Sequence, residues 1–136
     1  MWQSNGDARL RELVEQAATA VYRARWRTES SVQCHGLAGN AELLLDVADA
    51  TRDSHYRHWA HGMARAIGVR QARRRERALL PDERARDVSA SFNIGSAGTL
   101  AFLLRLDHGG PRPWLPHSLA GAPTSDCPTT DKEVIT

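Results

Sequence analysis

Apolar residues between Asp7 and Arg27 fall at Leu10, Leu13, Val14, Ala17, Ala18 and Val21, offsets of 0, 3, 4, 7, 8 and 11. That spacing keeps returning to one face of a 3.6-residue helix and predicts an amphipathic helix. Its wet side carries Arg9, Arg11, Glu12, Glu15, Gln16 and Arg23. Asp7, or Asn5 just before it, is placed to cap the first turn. The polar stretch from Thr28 to Asn40 reads as a loop ending at a helix start. The next run, about 37–51, contains Leu43, Leu44 and Leu45 in succession. Three consecutive leucines cannot share one helical face, so this helix is apolar around most of its circumference and is expected to be buried. Arg52-Asp53-Ser54 reads as a turn offering Asp53 or Ser54 as the next N-cap. The third helix repeats the first stripe, at Tyr56, Trp59, Ala60, Met63, Ala64 and Ile67, and Gly68 is expected to weaken or end it. Arginine-rich and broken by Pro81, residues 70–87 read as a frayed helical extension or a solvated connection. A second nearly all-round apolar helix is predicted at 99–106.

The two buried helices share an entry. With Gly36 placed over Gly95, Ala38 meets Ala97, Gly39 meets Gly98, and Leu44, Leu45 and Val47 meet Leu103, Leu104 and Leu106, a period of 59 residues. Each unit is then a glycine-rich loop, a buried helix, a short turn and an amphipathic helix. Buried and amphipathic helices in alternation suit a concentric arrangement, buried helices inside and amphipathic ones outside. Crowded inner-helix N-termini would present unpaired N–H groups and the positive end of the helix dipole. One such hairpin cannot cover its own faces, so the units need neighbours. The fold class expected is therefore all-α, built of helical hairpin repeats over 1–107. Residues 108–136, rich in Pro, Gly, Ser and Thr, read as a disordered tail docked at most by Trp114 and Leu115.

Composition narrows the setting. The chain has 136 residues, 41% hydrophobic and 25% charged, enough for a packed core in one domain. No apolar run approaches a membrane span. The N-terminus lacks the basic and apolar regions of a signal peptide, so a cytoplasmic protein with no membrane partner is expected. Net charge is +2. The positive residues are nearly all arginine, Lys132 being the one lysine, as in a GC-rich bacterial genome. This mild basicity does not argue for nucleic acid as a partner. Arginines between 65 and 86 are diluted by Glu76, Asp82, Glu83 and Asp87 and read as solvated. His55, His58 and His61 recur every three residues, which spreads them around a helix whose buried face belongs to Trp59 and Met63. They read as an exposed face rather than a metal site. Cys34 and Cys127 lie far apart, and a disulfide between them is not expected in a reducing compartment.

Cys34-His35-Gly36 is the candidate for chemistry. Adjacent Cys and His side chains diverge by about 100° on a regular helix and can share a metal only where the backbone turns sharply. Here a glycine and a helix start supply the turn. Thiolate with imidazole suits zinc, which needs at least a third protein ligand. By itself the pair also fits a cysteine beside a surface histidine.

The segment Gln33-Cys34-His35-Gly36-Leu37-Ala38-Gly39-Asn40, followed by Ala41-Glu42-Leu43-Leu44-Leu45, resembles the Cys-His-Gly-x-x-Gly segment of the lanthionine synthetase C-like (LanC) family. Ile94-Gly95-Ser96-Ala97-Gly98, with the helix after it, is similar to that family's last glycine-rich repeat. The resemblance covers about residues 7–107. It implies an α/α toroid of seven inner and seven outer helices, of which this chain would hold about the last two units. It implies thioether ring formation, a peptide cysteine thiol adding to dehydroalanine or dehydrobutyrine. Cys34 and His35 would be two zinc ligands, and Gly36, Gly39, Gly95 and Gly98 the motif glycines at inner-helix starts. A coordinated thiol is deprotonated at neutral pH yet remains nucleophilic.

The departures are as informative. The family's first zinc cysteine lies one repeat upstream of the Cys-His pair, which at a period of 59 falls before Met1. Its acid/base histidine and arginine also lie upstream, so no catalytic residue is transferred here. The reading is of a partial zinc site in an incomplete cyclase, inactive alone. Its partners would be a lanthipeptide precursor, further repeats, a kinase-like domain, or a second copy through self-association. The alternatives are a non-catalytic helical-repeat scaffold or peptide-interaction module and, less favoured, a basic nucleic-acid-binding helical protein.

Overall fold

The computed structural model describes residues 7–84 and 86–113. Trp114, Leu115, Cys127 and the remainder of the expected tail lie outside the described residues. The order is α1 (Ala8–Arg23), a 3-10 turn (Ala24–Trp26), α2 (Leu37–Thr51), α3 (Ser54–Arg70), β1 (Ala72–Arg74), β2 (Arg77–Leu79) and α4 (Ser96–His108). The fold is all-α apart from one small hairpin. None of its helices is long and apolar enough to cross a membrane among the described residues.

Two helices begin on aspartate caps. Asp7 accepts from the backbone N–H groups of Arg9 and Leu10 at 2.9 and 3.3 Å. Asp53 accepts from His55 N–H at 2.8 Å. The other two begin on glycine, with no side-chain cap. There the preceding loop supplies the acceptor: Leu37 N–H donates to Ser30 O at 2.9 Å, and Ser96 N–H donates to Ser89 O at 2.8 Å. Loop carbonyls thus satisfy helix-start donors that would otherwise be orphaned.

α2 is the centre of the fold, packed on α1, α3 and α4. Leu37, Leu44, Leu45 and Val47 are at most 2% exposed, as an all-round apolar helix requires. α3 lays Ala60, Met63, Ala66 and Ile67 against it. α1 meets α3 through aromatic contacts. Tyr22 stacks on Trp59 with ring centroids 4.5 Å apart, and Gly62 leaves the room for it, since a Cβ there would lie 3.0 Å from the Tyr22 ring.

Several expectations are corrected. α3 does not stop at Gly68 but runs to Arg70. Arg70 then donates to Ala66 O at 2.8 Å and to Arg25 O at 3.3 Å, and these contacts outweigh the weak local preference of one exposed glycine. The arginine-rich connection is neither frayed helix nor coil throughout. It contains an exposed antiparallel hairpin in register Ala72↔Leu79, Arg73↔Ala78 and Arg74↔Arg77, with Arg75 in the left-handed region at φ 57°. The stripe of α1 is covered only in part, with Ala18 buried and Leu13 52% exposed. α4 starts at Ser96, three residues earlier than expected; Phe102 on it is fully buried while Leu100 and Leu104 are 51% and 59% exposed. The chain also stays docked past α4, through Arg112.

Candidate functional site

The 59-residue repeat is realised in backbone geometry. Val32 N–H donates to Ser30 Oγ and Ser91 N–H donates to Ser89 Oγ. These are equivalent bonds in the two loops. A Cβ on Gly36 would lie 2.5 Å from Val32 backbone atoms, and one on Gly95 would lie 2.4 Å from Ser89 O. A Cβ on Gly39 would lie 2.0 Å from Gln33 O, and one on Gly98 would lie 2.1 Å from Phe92 O. All four motif glycines therefore let a loop press directly on the helix it starts. Gly36 and Gly95 have extended backbones that any residue adopts, so contact and not φ requires glycine there.

In this register Gln33 corresponds to Phe92, Cys34 to Asn93 and His35 to Ile94. The equivalent positions touch: Cys34 N–H donates to Asn93 O at 2.9 Å. Thr99 Oγ1, buried, donates to Ser31 O at 2.9 Å and ties the first loop to α4. Between the loops lies a cavity of about 530 Å³, lined among others by Gln33, Cys34, Asn40, Phe92, Asn93 and Arg112. Cys34 is a free, exposed cysteine on the turn before α2, and its position opens on this cavity. His35, next to it, is exposed and does not line the cavity. Its Nε2 lies 3.6 Å from Glu83 Oε2, which stands on the connection after the hairpin. Among the described residues no group of three or more His, Cys, Asp or Glu side chains is arranged to hold a metal. His55, His58 and His61 are exposed on α3, with the His55 ring 4.4 Å from that of Trp59.

Beneath the cavity lies a buried charge cluster that sequence reasoning missed. The Arg105 side chain, 5% exposed, pairs with Glu42, with Asp46 Oδ1 at 2.8 Å and with Asp49 Oδ2 at 3.1 Å. Its Nε donates to Gly110 O at 2.9 Å. Arg112 pairs with Asp46, and its Nε lies 3.7 Å from Glu42 Oε2. Burial pulls the Arg105 guanidinium down, but its hydrogen bond to Glu42 and the charge of Asp46 outweigh this and hold it above its ordinary value. The signal was present in the sequence. Glu42, Asp46 and Asp49, at offsets 0, 4 and 7, form an acidic stripe on an otherwise apolar helix, and Arg105 is the repeat equivalent of Asp46. Gln33 was also missed as a site residue: it is 8% exposed, and its Oε1 has no hydrogen-bond partner among the described residues.

A family model described as lanthionine synthetase C-like protein matches residues 1–119. No curated protein matches the chain.

Proposed function

This chain belongs to the lanthionine synthetase C-like family, and from that premise we propose that it carries two zinc donors of a thioether-forming site. The observation that carries the reading is the place of Cys34, on a turn held by the motif glycines and open to the cavity between the repeat loops. The donor chemistry fits in kind, since a cysteine thiolate and a histidine imidazole are the ligands zinc favours. It falls short in number. Two donors stand on this turn, and the third would come from outside the described residues.

When bound, zinc would hold a substrate thiol as thiolate at neutral pH. The residues of the chain provide the setting. Cys34 supplies the anionic donor at the cavity mouth. His35 supplies the neutral one, with the Glu83 carboxylate beside it as the kind of outer partner that orients ligating histidines. In the overall reaction S–H adds across the C=C of dehydroalanine or dehydrobutyrine: the β-carbon gains sulfur and the α-carbon gains a proton. No residue of this chain is assigned that proton delivery. The reading implies a cysteine-bearing lanthipeptide precursor as partner, and further helical units to complete the site. The isolated chain is then expected to bind zinc weakly and to close no ring.

Cobalt substitution tests this. Cobalt added to the full chain should give a thiolate-to-cobalt charge-transfer band that is weak, far from one-to-one at equal concentrations, and absent in Cys34→Ser. A band of equal strength in Cys34→Ser, or tight one-to-one zinc binding that survives Cys34→Ala, would refute the assignment.

A further inference from the structure

The two inner helices are unequally covered at equivalent positions of the repeat. Ala97, Leu100, Ala101 and Leu104 form an apolar stripe on α4, at offsets of 0, 3, 4 and 7. Leu100 and Leu104 are 51% and 59% exposed, and the two alanines are half-buried. Their equivalents on α2 are Ala38, Ala41, Glu42 and Leu45, each at most 1% exposed. Neighbours account for the difference. α2 packs on α1, α3 and α4, most extensively on α3, the helix that follows it. α4 packs on α2 and α3, and no described helix follows it. Residues 109–113 form no helix and bring Arg112 onto Asp46 of α2.

The converse shortfall lies in the first two helices. Phe102 of α4 is fully buried, whereas its equivalent on α2, Leu43, is only partly buried. α1 carries the same apolar spacing as α3, yet Leu13 and Ala17 on it are exposed. Among the described residues, α1 is thus an outer helix short of an inner one, and α4 an inner helix short of an outer one. Along the chain the helices run outer, inner, outer, inner, so a second copy placed after α4 continues the order with its own α1. Repeat units stack through the faces that one unit cannot cover by itself. We propose that a second copy of this chain packs head to tail on α4. Its α1 covers Leu100 and Leu104 as α3 covers α2, and its α2 lies beside α4, so that its Leu43 gains the cover that Phe102 has. The contact joins different faces of the two copies, so it passes from copy to copy instead of stopping at a pair. It uses neither Cys34 nor a metal and stands apart from the thioether reading.

Sedimentation velocity of the full chain, with metal chelated and thiols reduced, is the test. The wild-type chain should be monomeric when dilute and grow past a dimer as its concentration rises through the micromolar range. Leu13→Glu spoils the α1 face and Leu104→Glu the α4 face. Each alone should weaken self-association at least about tenfold, because an unpaired charge would be buried in the contact. Mixed in equal amounts, the two variants should form heterodimers with the wild-type affinity and grow no further. The intact α1 of one then meets the intact α4 of the other, while the remaining faces both carry Glu. A wild-type chain that stays monomeric throughout overturns the proposal, leaving residues 114–136 or a further unit as the cover of α4, and that result needs no variant to fold. Undiminished self-association of Leu13→Glu alone overturns it in favour of α4 packing on α4. A mixture that stays monomeric, with both variants keeping wild-type urea midpoints, overturns it as well. Failure here leaves the cobalt test of Cys34 standing, and failure of the cobalt test leaves this measurement readable.

Discussion

Replacing Arg105 with methionine keeps most of the apolar stem and removes the charge that joins α4 to α2. In the native chain that guanidinium faces Glu42, Asp46, Asp49 and the Gly110 carbonyl. After Arg105→Met, the Glu42 side chain, 1% exposed, retains Arg112, whose Nε is 3.7 Å away. Breaking a buried ion pair by removing one partner costs about 3–5 kcal/mol, because the other charge stays buried. The remaining Arg112 contact places the expected loss near the lower end, about 3 kcal/mol. That is a large share of the roughly 5–15 kcal/mol that stabilises a natural domain. Glu42→Gln should cost less, about 1–2 kcal/mol, since Arg105 keeps two carboxylates and a carbonyl. Glu42→Leu combined with Arg105→Met should be less destabilised than Arg105→Met alone, because no uncompensated charge is left inside. Asp46 and Asp49 tolerate the change, with side chains 39% and 59% exposed. Urea unfolding followed by far-UV circular dichroism reads all three, with a shared slope as the check on two-state behaviour. If Arg105→Met falls within about 1 kcal/mol of wild type, or if the double variant is less stable than Arg105→Met alone, the cluster does not hold the units together.

Three further outcomes follow from burial and close approach. Gly39→Ala and Gly98→Ala should each lose more than about 2 kcal/mol, because the new Cβ meets a backbone carbonyl, whereas Gly68→Ala, in open space on α3, should gain about 0.5–1 kcal/mol; thermal melts that rank them otherwise contradict the contact argument. Phe102→Ala should cost about 3–5 kcal/mol and Leu104→Ala less than about 1, and equal losses in urea titrations would mean that α4 is covered on both faces. Burial, with smaller contributions from Glu15 and Asp53, pushes the Tyr56 phenol above its ordinary value, so its contribution to stability is complete below about pH 10 and fades as pH rises through the native value. Tyr56→Phe should flatten that decline in urea midpoints measured across alkaline pH, and an unchanged slope would dismiss the phenol as its source.

What the sequence made legible divides along the length scale of each interaction. The limits of α2 and the caps at Asp7 and Asp53 follow from 3.6-residue periodicity and short polar side chains, and both are local. The glycine repeat was legible for the same reason, because each of the four glycines avoids a clash with backbone six residues or fewer before it. Contacts between units left weaker traces. The stripe on α1 shows which face is apolar but not what covers it, and Leu13 stays half exposed. Arg105 hides in an apolar run until it is aligned with Asp46, since a charge on a predicted buried helix has no meaning until its partner 63 residues away is known. The hairpin at 72–79 has arginines in place of alternating apolar residues and no glycine in its turn, so no local signal announced it. The candidate site inherits this division. The turn that presents Cys34 and His35 is local and could be read, and so could the motif glycines. Under the proposed function, a third zinc donor would act between units, as Arg105 does. A measurement on the site therefore reads the assembly of units, while a measurement on the motif glycines reads the unit itself.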